Sequence, residues 1–89
     1  MIHNVKIRSQ YYNALKSGLK KFEIRKNDRG YKVGDLLALN EIDNGGNYTD
    51  RAAVCKIVYI LDGFEGLSAD YVALGVELLL ADSGGTYDG

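Results

Sequence analysis

The sequence predicts a small α+β domain, a mixed or antiparallel β-barrel of about five strands with one short helix between the first two. Three observations carry that expectation. Residues 3–7 and 21–25 alternate in polarity as half-buried strands do. Between them, Tyr11, Ala14, Leu15 and Gly18 fall on one stripe at helical spacing. Three further β-prone runs follow, at 36–42, 51–61 and 71–80. That is too few strands for two full sheets, and the repeated crossovers of a doubly wound fold are missing. Closing the sheet into a barrel is the arrangement that leaves no edge strand exposed.

In the first strand His3, Val5 and Ile7 share one side, with Asn4 and Lys6 on the other. Ser9 is placed to cap the helix over 10–17, and Gly18 to end it in a left-handed turn. So short a helix needs packing against a sheet to persist. In the second strand Phe22 and Ile24 oppose Lys21, Glu23 and Arg25, an unusually charged second face. A polar turn over 26–30 and a tight turn at 32–35 lead into the third strand. The Asp-Asn-Gly-Gly-Asn run at 43–47 reads as a hairpin loop, because Asn and Gly tolerate positive φ. The run at 51–61 is apolar on both parities, which predicts a strand covered on both faces. Residues 62–70 read as a loop, and 71–80 as the last strand.

With 89 residues, 46% of them hydrophobic, the chain has enough apolar material for one core and too little for two. A single domain over 1–80 with a flexible tail at 81–89 is expected. The lone Cys55 cannot form an internal disulfide, which fits a reducing compartment, and its apolar surroundings predict an inert buried thiol. No leader pattern opens the sequence, and no apolar run approaches the roughly 20 residues of a membrane helix, so a cytoplasmic location is expected.

Net charge is −1, but residues 1–35 carry +6 and residues 36–89 carry −7. The basic half makes an anionic partner plausible, unless the two halves interleave in the fold and neutralise each other. The densest polar chemistry lies at 18–30, where Lys20, Glu23, Arg25, Lys26, Asn27, Asp28 and Arg29 combine cations, carboxylates and an amide. Here Lys20, Arg25 and Arg29 suit phosphate and ribose, while Asn27 or Glu23 suits a base edge. The competing reading is a solvated charged face whose ion pairs are worth about 0 to 1 kcal/mol each. A lone His3 reads as a hydrogen-bonded structural residue, and without a His or Cys cluster neither a metal nor any cofactor is expected.

The order Gly18, Lys20, Glu23, Arg25, then Asn27, Asp28 and Arg29, then the Val33, Gly34, Asp35 turn resembles the ASCH domain family, in its small bacterial and phage branch known as DUF3850. The likeness continues through residues 48–51, 58–61 and 71–76. It implies a PUA-like barrel with a helix near its start, and an RNA-binding or nucleotide-binding cleft. Carried onto this chain, that cleft holds Lys20, Glu23 and Arg25, with Asn27, Asp28 and Arg29 as an extension and His3 and Lys6 at its edge.

RNA or a nucleoside-like ligand is therefore the expected partner, ahead of duplex DNA, and no membrane is expected. Related very small ASCH enzymes hydrolyse N4-acetylcytidine with a Lys, Thr and Glu triad. Lys20 matches the lysine, but Glu23 stands in place of the nucleophilic threonine, and Glu65 matches the third member only by rough location. Catalysis by Lys20 and Glu23 would need Glu23 to act as a general base on water. A third reading, an accessory protein-interaction domain, rests on the acidic later strands alone.

Overall fold

The structure, a computed structural model, describes residues 1–81. Of the tail expected over 81–89, Ala81 belongs to the last strand, and 82–89 lie outside the described residues. Chain order is β1 (Ile2–Arg8), α1 (Ser9–Lys16), β2 (Phe22–Lys26), β3 (Leu36–Ile42), β4 (Tyr48–Leu61) and β5 (Tyr71–Ala81). The strands form one mixed five-stranded sheet in the order β1-β3-β4-β5-β2, parallel between β1 and β3 and antiparallel elsewhere. The sheet curls into a half-barrel, with α1 packed against it.

The barrel does not close as the sequence suggests. Among the described residues β1 and β2, the two ends of the sheet, share no ladder of backbone hydrogen bonds. An open seam runs between them.

Val5, Ile7, Leu37, Leu39, Ala53, Cys55, Ile57, Val72, Leu74 and Val76 supply the strand side of the core, and Tyr12 and Leu15 plug it from α1. The helix is thus turned about one residue from the expected stripe, since Tyr11 is exposed and Tyr12 is buried. Ser9 does not cap it. Its hydroxyl donates to the Ile42 carbonyl (3.2 Å), tying the helix start to the end of β3. Gly18 does end the helix at φ +84°, with Leu19 N–H bonded to Ala14 O and Gly18 N–H to Leu15 O, the paired closure that satisfies the last carbonyls.

The expected hairpin forms between β3 and β4. There Asp43 Oδ1 accepts from the backbone N–H of Gly45 and Asn47 at 2.9 Å each, and Gly46 takes φ +82°. In β4 only one face is covered. Ala53, Cys55 and Ile57 are buried, whereas Val58 and Tyr59 face outward, because α1 lies inside the curl and nothing described covers the convex side.

The register of β2 decides the chemistry. Glu23 lies directly opposite Leu74, and directly opposed residues share a face of the sheet. Leu74 is fully buried, so Glu23 turns inward with Arg25, while Phe22 and Ile24, opposite Gly75 and Ala73, turn outward. The charged face of this strand is its inner face, and β2 gives the core no apolar side chain.

Candidate functional site

The seam is bridged by one side chain. From β2, the Arg25 guanidinium donates from both terminal nitrogens to the Lys6 carbonyl of β1, at 3.0 and 2.7 Å. That carbonyl would otherwise face the open gap without a protein partner. On either side of the bridge lies an open cavity, of about 580 and 570 Å³, and both are lined by Lys6, Ile24 and Arg25.

The cavity toward the start of β1 is cationic and aromatic. Lys6, Arg25, Lys26 and Arg29 line it with the single carboxylate of Asp28, and Tyr31, Tyr48 and Tyr71 add three rings. Lys6 Nζ sits 5.8 Å from the centre of the Tyr48 ring, a cation-π contact at the rim. The cavity toward the end of β1 is more apolar. Ile7, Tyr11, Phe22, Ile24 and Ile42 line it, with Glu23 and the cations Lys6, Arg8, Lys20 and Arg25.

Glu23 is a buried carboxylate, and β2 brings it onto the Lys20 ammonium in a direct ion pair. Lys20 also donates to the Phe22 carbonyl at 2.5 Å and lies over the Tyr11 and Phe22 rings at 5.7 and 5.1 Å. Arg25 Nη1 stands 3.7 Å from the other Glu23 oxygen. Glu23 is therefore compensated by two cations, as a buried charge requires. Its field reaches Cys55 beneath it. Burial first, then the Glu23 carboxylate, pushes that thiol up to about 11.

Of the residues singled out from sequence, Lys6, Lys20, Glu23, Arg25, Asp28 and Arg29 line one cavity or the other. Arg29 and Asp28 are an exposed pair at 3.9 Å on its rim. Asn27 lines neither cavity, and its backbone N–H holds the end of β2 to Asp70 O (2.7 Å). His3 is buried inside the half-barrel and lines neither cavity. Its Nε2 is 2.8 Å from Asp35 Oδ2, and its ring meets Tyr31 edge-on at 4.9 Å. The His3 hydrogen bond is the main reason the Asp35 carboxyl is held below its usual range. Glu65 lies exposed in the loop before β5, away from both cavities.

Sequence reasoning passed over the aromatic lining, because Tyr31, Tyr48 and Tyr71 come from three separate segments. It also missed a buried ion pair beneath α1. Arg51 forks onto Glu41, with Nε and Nη2 each 2.6 Å from a carboxylate oxygen, and the Thr49 hydroxyl donates to the same carboxylate at 2.5 Å. A bulge makes this possible. Asn40 pairs with Ala52 and Ile42 with Tyr48, so Glu41 alone faces Thr49, Asp50 and Arg51. Asp50 takes up the extra length at φ +70°. Arg51 reaches Asn13 Oδ1 at 3.3 Å and covers the Tyr12 ring at 4.6 Å, so the cluster locks helix to sheet.

Among the described residues no group of three or more His, Cys, Asp or Glu gathers as a metal site, and no helix is long and apolar enough to cross a membrane.

Comparison with known proteins gives two findings. The model of a family described as a domain of unknown function, DUF3850, matches residues 2–76. A protein of Escherichia phage P2, described as an uncharacterized 12.9 kDa protein in the GpA 3' region, is 38% identical over 73 residues. The aligned part is 82% of this chain and 65% of the phage protein, so the chain spans less than two thirds of that relative.

Proposed function

This chain belongs to the DUF3850 family, and from that premise we propose that it is a nucleic-acid-binding or nucleotide-binding module of the ASCH, PUA-like kind, taking RNA in the seam between β1 and β2. The observation that carries this reading is the open seam itself, where Lys6, Arg25, Lys26 and Arg29 stand among the exposed rings of Tyr48 and Tyr71. Cations hold phosphates and exposed rings stack on bases, a combination that suits unpaired nucleotides. Duplex DNA is a poorer fit. The eight-residue α1 is packed into the core by Tyr12 and Leu15, so it offers no free helix for a major groove. The half-barrel with its early helix and the Gly18, Lys20, Glu23, Arg25 order support the ASCH likeness.

The test is fluorescence anisotropy with a labelled single-stranded RNA across a salt series. Lys20→Ala and Arg25→Ala each weaken binding while the circular dichroism spectrum is kept, and Arg25→Ala lowers the salt slope by about 1. Wild-type affinity and slope in both variants would remove the seam as the site.

A second reading is favoured by one observation, the contact of Lys20 with a buried Glu23 in the more apolar cavity. There Glu23 would take a proton from a water whose oxygen bonds to the acyl carbon, Lys20 would polarise the acyl oxygen, and the proton would pass from Glu23 to the departing nucleoside nitrogen as the C–N bond breaks. Turnover of acylated cytidines no faster than that of Glu23→Gln would exclude it.

A further inference from the structure

We infer that the ligand of the seam is a strand of at least two nucleotides, with the linking phosphodiester on Arg25 and one base in each of the two cavities; this rests on the nucleic-acid reading above.

The two cavities are nearly equal, about 580 and 570 Å³, and each falls in the range of single small-molecule sites. They share Lys6, Ile24 and Arg25, so they adjoin at that point and a ligand filling both must pass over the Arg25 guanidinium. Arg25 is prepared for that position. Its two terminal nitrogens are anchored on the Lys6 carbonyl at 3.0 and 2.7 Å, which fixes the plane of the fork before any ligand arrives. A guanidinium carries five N–H donors, and the anchor uses one from each terminal nitrogen, leaving donors for a phosphate oxygen. The side chain is 21% exposed, enough to be reached.

The two cavities differ in their lining. On the Tyr11 and Phe22 side the Glu23 charge is taken up by Lys20, and apolar side chains make up much of the lining. That cavity takes a base between apolar side chains, with Glu23 and Lys20 as acceptor and donor toward the base edge. Beyond Arg25, Lys26 and Arg29 follow with Tyr48 and Tyr71, and the next nucleotide fits there. A mononucleotide occupies only half of this arrangement.

The experiment is competition against a labelled RNA by mononucleotides, by dinucleoside monophosphates, and by the same dinucleotides with an uncharged methylphosphonate link. A dinucleotide competes at least tenfold better than either mononucleotide. The methylphosphonate link removes that advantage in the wild type and changes nothing further in Arg25→Met. Tyr48→Ala weakens the dinucleotide. Equal competition by mononucleotides and dinucleotides, or full competition by the methylphosphonate on wild-type protein, overturns the two-nucleotide inference and leaves the nucleic-acid reading standing. Failure of the labelled RNA to bind at all overturns that reading itself. The methylphosphonate comparison uses wild-type protein, so it decides the matter even if Arg25→Met does not fold.

Discussion

Replacing Glu41 by Gln keeps the shape of the side chain and an acceptor for Thr49 while removing the charge that Arg51 grips. The Arg51 guanidinium, helped by the hydrogen bond from Thr49, holds the Glu41 carboxyl down to about 2 against an ordinary 4.5, in spite of a burial penalty that works the other way. Glu41 is 1% exposed, so solvent does little to screen the pair. At about 1.4 kcal/mol per pH unit, the difference corresponds to about 3 kcal/mol of folding free energy at neutral pH. Because the folded value lies below the unfolded one, this stability is fully present above pH 4.5 and disappears as pH falls through about 2. Urea unfolding followed by circular dichroism at pH 7, 5, 3 and 2 measures it. At pH 7 Glu41→Gln is less stable than the wild type by about 3 kcal/mol, the scale of a buried pair broken on one side. The gap falls to less than half by about pH 3 and closes near pH 2. Asp35 titrates in both proteins and cancels from the difference. A gap that stays constant from pH 7 to pH 3 would refute the reasoning, since the loss would then owe nothing to the Glu41 charge.

Three other outcomes follow from single positions. Asp50→Gly stabilises the protein by up to about 1 kcal/mol in the same urea assay, because the bulge holds Asp50 at φ +70°, where a side chain is strained and glycine is not. Cys55 is fully buried and its thiol is pushed up to about 11, so iodoacetamide at pH 8 leaves folded protein unmodified and alkylates it fully in urea; mass spectrometry reads both states. Asp35 accepts from the Lys32 backbone N–H at 3.1 Å and faces His3, so Asp35→Asn speeds amide exchange at Lys32. In the wild type the hold of Asp35 is present above the usual carboxylate range and lost on acidification, because its carboxyl is lowered chiefly by His3.

Much of the fold is legible in local pattern. Alternation marks β1, the Asp-Asn-Gly-Gly-Asn run marks the hairpin after β3, and Gly18 marks the end of the helix. Local pattern could not orient the helix, since Tyr11 and Tyr12 are chemically identical neighbours and only the position of β3 and β4 selects Tyr12 for the core. Nor could it show the Glu41 and Arg51 pair. Their meeting depends on a bulge that one residue in a left-handed conformation makes possible, and Asp50 carries no mark of that in its type. The cluster from Lys20 to Arg29 stood out as dense charge, but its tyrosine partners come from distant segments and converge only in three dimensions.

The amino-acid order by itself determined a five-stranded α+β domain with a charged second strand, because strand and helix periodicities and turn residues act over a few neighbouring positions. Which face of that strand looks inward was decided by its register against β5, a long-range pairing in which a shift of one residue would have turned Phe22 and Ile24 in and Glu23 and Arg25 out. The open seam was decided in the same way. Closure of a barrel depends on how its two end strands meet, and here they meet through the guanidinium of Arg25 instead of a backbone ladder.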